Sequence, residues 1–106
     1  MVYALNVFNL VDGKEDTYKV YAVKAGRLLQ RVGASVAVAG RRPIQMIEGD
    51  RVRRYFMVVQ FPDADAFAKF LDLVRTEDMH QTRQSSTQDY IWTLYESWDL
   101  TRWVSE

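Results

Sequence analysis

Apolar residues fall along this chain in two alternating rhythms. Val2 to Val11 is almost unbroken, with Asn6 and Asn9 the only interruptions, and its Val, Tyr and Phe content suits a strand that ends at Asp12-Gly13. The period then changes. Tyr18, Tyr21, Ala22, Ala25, Leu28, Leu29 and Val32 recur every three or four residues, with Lys19, Lys24, Arg27 and Arg31 between them. One apolar stripe of this kind predicts an amphipathic helix over Asp16 to Val32, with Asp16 as N-cap and Gly33 as the residue that ends it. Gly26 inside it suggests a close backbone contact. Ala34 to Ala39 reads as a second strand, interrupted by Gly40-Arg41-Arg42-Pro43, with Ile44 to Glu48 as an extension beyond a bend. Arg53 to Phe61 is the clearest strand, and Gly49-Asp50 is the expected turn of a hairpin. Asp63 should cap a second helix whose stripe is Phe67, Phe70, Leu71 and Val74. A short segment follows, with Thr76 as cap before Glu77 and Asp78, and Gln81 to Gln88 reads as a loop or a weak helical turn. The last strand runs from Tyr90 to Glu96, and Trp98 to Glu106 is a tail holding two tryptophans.

The predicted order is β-α-β-β-α-β, a ferredoxin-like α+β fold with a four-stranded antiparallel sheet and both helices on one face. Residues 1–97 form the domain and 98–106 the tail. A sheet wetted on one side should alternate apolar and polar residues. These strands do not: the first offers Tyr3, Leu5 and Val7 to one face and Val2, Ala4, Phe8 and Leu10 to the other. Two helices cover one face only. The other would be a large exposed apolar patch, and a second copy packed sheet to sheet removes it. The expected partner is therefore another copy of the chain, in a homodimer.

Composition narrows the chemistry. With 106 residues the chain has room for one domain, and its 48% hydrophobic and 26% charged residues describe a globular protein. There is no cysteine and a single histidine, His80, so thiolate chemistry is excluded and no metal is expected. Net charge is zero, which argues against nucleic acid as a partner. The charge is nevertheless unevenly spread, +5 over residues 1–54 and −5 over 55–106. That split suits self-association, an anion-attracting surface, or two ordinary solvated faces. No stretch is long enough to span a membrane, and Met1-Val2-Tyr3 enters a strand with no leader pattern, so the expected location is cytoplasmic.

Several short pieces then resemble a known family. Tyr21 in the first helix, Ile47-Glu48-Gly49-Asp50 at the hairpin, and Val58-Val59-Gln60-Phe61-Pro62-Asp63 running into Ala66, Phe67 and Phe70 are similar to the dimeric α+β barrel superfamily. Within it, they are most like the domain-of-unknown-function family numbered 1330. Thr76 to Arg83 and the tail from Ser97 depart from that family's pattern. The resemblance implies a ferredoxin-like protomer and a two-subunit barrel. Superfamily relatives include cofactor-independent monooxygenases, muconolactone-isomerase-like enzymes and heme-binding enzymes, among which fold alone does not choose.

Five residues carry the candidate chemistry. His80 alone has a free pKa near neutrality, which makes it the candidate acid or base; its polar neighbours Asp78, Gln81 and Arg83 also fit a solvated surface ring. Asn6 is an amide inside an apolar strand, so it must either find a local partner or face a cavity. Gln60 poses the same question. Tyr90 and Trp92, with Tyr3, Tyr55 and Tyr95, suit either a flat organic ligand or a plain dimer core. Arg41, with Arg42, Arg51, Arg53 and Arg54 nearby, has the chemistry to hold a carboxylate or phosphate, or simply to face water. The expected site is a pocket between sheet and helices in which His80 and Asn6 act and Tyr90, Trp92 and Arg41 bind a small organic molecule, with no cofactor. The competing expectation is a dimeric binding module without catalysis. Trp98 and Trp103 would pack over a subunit seam.

Overall fold

The computed structural model describes residues 1–77 and 79–106. Its elements in chain order are β1 (Val2–Leu10), α1 (Glu15–Arg31), β2 (Ser35–Arg41), β3 (Tyr55–Phe61), α2 (Ala64–Thr76), α3 (His80–Ser86), β4 (Thr87–Glu96) and α4 (Leu100–Ser105). The sheet order is β2-β3-β1-β4 and every neighbouring pair is antiparallel, which is the ferredoxin-like arrangement. Asp78, expected to stand among the polar neighbours of His80, lies outside the described residues.

Register decides which side chains meet. Met57, Asn6 and Trp92 form one row across the three strands β3, β1 and β4, and Val59, Ala4 and Leu94 the next. This face packs against α1 and α2, so Ala4, Phe8, Val59 and Phe61 are buried with Leu28, Leu29, Phe70 and Val74. The opposite face carries Tyr3, Leu5 and Val7 beside Val58 and Phe56, with Ile91, Tyr95 and Val38 exposed. Among the described residues, no element covers it. Phe56 lies over Gly40, its cross-strand partner: a Cβ at Gly40 would fall 2.2 Å from the ring, which would have to move to admit it.

The helix ends follow local chemistry. Asp63 caps α2 through a bond from the Ala66 N–H to its Oδ1 at 2.8 Å. Gly33, at φ +75°, closes α1 in a Schellman motif, with its N–H donating to Gln30 O at 3.1 Å and that of Ala34 to Leu29 O at 2.9 Å. Asp16 does not cap α1. The helix begins a residue earlier, Lys14 stands at the cap without a side-chain bond, and Asp16 joins Glu15 as first-turn acidic charge, where the dipole favours it. Thr76 is not a cap either; it is the last residue of α2 and donates its hydroxyl to Asp72 O at 2.8 Å.

Three connections differ from the pattern-based expectation. β2 and β3 do pair, but the joining segment 42–54 is irregular, and Ile44 to Glu48 adds no strand. Residues 80–86 are a helix, and β4 starts at Thr87. The tail contains α4, capped by Asp99, whose Oδ1 accepts from the Arg102 N–H at 3.1 Å. Every residue from Ser97 to Glu106 is exposed, and Trp98 and Trp103 pack on each other, with ring centroids 5.3 Å apart. Among the described residues, no helix is long and apolar enough to cross a membrane.

Candidate functional site

A cavity of about 130 Å³ lies between α1 and the sheet. Small residues on the inner side of the helix leave the space. Ala22, Ala25 and Gly26 line it, and a Cβ on Gly26 would meet nothing within 4 Å, so Gly26 makes no close backbone contact of the kind its position suggested. Met57 and Val59 form the floor, and Asn6 and Trp92 form the wall toward β4. Tyr18 and Tyr21, one helical turn apart on α1, complete the rim.

Asn6 is only 7% exposed. Its amide nitrogen donates to the Tyr90 hydroxyl at 2.9 Å, while its Oδ1 is buried with no partner. Exchanging the oxygen and nitrogen of the amide would pair the oxygen and orphan the nitrogen, so one end stays unsatisfied either way. An orphaned buried amide atom costs about 1–3 kcal/mol. Tyr90 reaches this position because β4 carries one extra residue: pairing shifts between Val7 and Asn9, and Asp89 takes the left-handed conformation at φ 52°. Tyr90, Phe8 and Tyr18 then form a continuous aromatic group, with centroids 5.4 and 5.2 Å from Phe8.

The phenols around this amide stay neutral. Burial pushes the Tyr18 and Tyr21 hydroxyls above their ordinary range; at Tyr21 the Arg83 charge acts in the opposite direction. Burial takes Tyr90 up to about 12, with the Tyr21 phenol adding to the shift and Arg83 and Asn6 opposing it. The cavity therefore offers hydrogen-bond donors and acceptors, but among these groups none that ionises near neutrality.

The structure gathers three of the five sequence-predicted residues, Asn6, Tyr90 and Trp92, and leaves two elsewhere. His80 is exposed at the start of α3. Its Nδ1 lies 3.1 Å from Arg83 Nη2, and its ring borders a groove between α2 and α3 rather than the cavity. Arg41 is exposed at the end of edge strand β2, beside a shallow groove shared with Tyr55 and Phe56. Gln60 resolves simply: it donates to Ser35 Oγ at 3.1 Å. Sequence reasoning missed Arg83, whose guanidinium carbon sits 4.4 Å from the Tyr90 ring centroid and 5.6 Å from that of Trp92. No local pattern marks it, because its place beside Tyr90 and Trp92 depends on the long-range pairing of β4 with β1.

Residues 2–94 match the family described as a domain of unknown function, DUF1330. The chain belongs to that family. No functionally curated protein is similar to it in sequence. Solved structures share its fold at low identity. A protein of unknown function from Rhodopseudomonas palustris is 17% identical over 92% of this chain and 82% of its own, with a TM-score of 0.76. SnoaB, a cofactor-independent oxygenase from Streptomyces nogalater, is 13% identical over 92% and 93%, with a TM-score of 0.64. A dabb family protein with a ferredoxin-like fold from Mesorhizobium loti is 15% identical over 92% and 96%, at 0.57. This DUF1330 domain thus has the fold of the dimeric α+β barrel superfamily.

Proposed function

We propose that each protomer binds a small planar organic molecule in the cavity beneath α1, and that a second copy covers the open face of the sheet. The observation that carries the first part is the unpaired amide atom of Asn6, buried in a residue that lines an otherwise mostly apolar cavity of about 130 Å³. An apolar cavity of about 150 Å³ accepts benzene, so one aromatic ring is the right size. A hydroxyl on that ring would supply the donor Asn6 lacks, and Tyr18 and Tyr21 at the rim would exclude wrongly shaped ligands. Transformation of the ligand without a cofactor, of the monooxygenase or isomerase kind, is the finer form of this proposal; the oxygenase SnoaB, of the same fold, supports it. In that form the substrate's own acidic proton passes to water, because the phenols at the site hold their protons and His80 borders the groove between α2 and α3 instead. The neutrality of those phenols also favours the alternative, a dimeric binding module with no reaction.

Titration with phenol and with toluene, followed by methyl resonances of Ala25, Leu29 and Val59, tests the reading. Phenol should bind about fivefold more tightly than toluene, the worth of one buried hydrogen bond. Asn6→Leu should erase that preference while toluene still binds. Unmoved cavity methyls with both ligands would defeat the proposal.

A further inference from the structure

Arg83 is held in an environment that a cation does not ordinarily choose. Its guanidinium carbon lies 4.4 Å from the Tyr90 ring centroid and 5.6 Å from that of Trp92, two rings set nearly at right angles. Its Nη2 meets His80 Nδ1 at 3.1 Å, so with Nδ1 accepting, the proton of a neutral His80 ring lies on Nε2. Its Nε is buried and finds no partner among the described residues, and the same is true of Trp92 Nε1. The ion pairs among the described residues, Arg75 with Asp72 and Arg102 with Glu106, leave Arg83 out. Among the described residues this half-buried charge has neither counter-ion nor full hydrogen bonding, a state that an anion would relieve. The groove it borders is open, about 410 Å³, and walled by Leu71, Val74, Arg75, His80 and Trp92. Its walls are thus apolar or basic, with no carboxylate among the described residues that line it.

We infer that the groove between α2 and α3 is a second binding site, taking the carboxylate of a small aromatic acid. The carboxylate meets the guanidinium of Arg83, for which its two oxygens are the geometric match. Arg75, already paired with Asp72 at 3.5 Å, stands at the mouth. The aromatic ring rests on Leu71, Val74 and the indole of Trp92. Trp92 is the wall shared with the cavity beneath α1, so the two sites are back to back and the groove stands whether or not that cavity is filled. His80 is here a positioning residue, holding one arm of the guanidinium so that the rest faces the groove.

Benzoate, with benzyl alcohol as its uncharged counterpart and inorganic phosphate as the ion control, tests this on the full chain labelled with ¹⁵N. Benzoate should shift the Trp92 indole N–H and the Arg83 Nε–H saturably, and less strongly as salt is raised. Benzyl alcohol and phosphate should leave both in place. Arg83→Gln should weaken benzoate by about tenfold or more, and Arg83→Lys should fall between, keeping the charge and losing the planar fork. The comparison of benzoate with benzyl alcohol needs no variant, so it stands even if Arg83→Gln fails to fold. Unshifted Trp92 and Arg83 signals with benzoate would overturn the site, and an equal response to phosphate would reduce it to an adventitious ion only. Equal shifts with benzyl alcohol, accompanied by movement of the Ala25 and Leu29 methyls, would assign the binding to the cavity alone.

Discussion

Tyr18, Tyr21 and Tyr90 enter a cluster in which burial raises the cost of ionising each phenol. Their ordinary pKa is 10.0, and in the folded chain Tyr90 rises to about 12. The folded state therefore keeps its protons longer than the unfolded state does. The stability this contributes is fully present below pH 10 and is lost as the pH rises through about 12. The urea midpoint should hold steady up to pH 10 and fall toward pH 12, in step with tyrosinate absorbance; a flat profile would mean that the phenols are solvated. Asn6 could be singled out from sequence because an amide within a run of apolar strand residues has to be explained by a partner or a cavity. Arg83 could not. It is one basic residue in a polar stretch, and only its stacking on Tyr90 and Trp92, which depends on a long-range pairing of β4 with β1, gives it meaning.

Elements were legible where a local rule fixes them. β1, Val2–Leu10, falls within the apolar run Val2 to Val11, which the Asp-Gly turn ends. Gly33 and Asp63 end and begin their helices through backbone geometry and a side-chain cap that can be read from residue type. Where two local rules compete, the pattern gave less. The polar run 81–88 contains no apolar stripe, so nothing in it marks where α3 stops and β4 begins. In the structure Ser86 settles the boundary, its hydroxyl turned back onto Thr82 O at 2.8 Å. The bulge at Asp89 leaves no apolar signature at all, yet it is what aims Tyr90 at Asn6. The segment 42–54 misled for a further reason: Ile44 and Ile47 suggest a strand, but they are almost wholly exposed and join no strand among the described residues.

At the scale of the molecule, the radius of gyration of 15.1 Å exceeds the value of about 13 Å expected for a chain this long. Segment 42–54 and the tail, both exposed nearly throughout, account for the extension. The open sheet face, with Phe56 still 40% exposed, supports the proposed dimer. Sedimentation at micromolar concentration should show two copies, and Phe56→Asp should give a folded monomer. The new carboxylate would be solvated in the protomer but buried without a partner in the dimer, at a cost of about 3 kcal/mol or more. A wild-type monomer would remove the second copy from the account. Whether the cavity takes a ligand is answered by a crystal structure of the protein soaked with phenol. The ring should lie between α1 and Met57, with its hydroxyl within hydrogen-bond distance of the Asn6 side-chain amide. A cavity left without the ring, or filled by side chains closing over Asn6, would contradict the proposed binding.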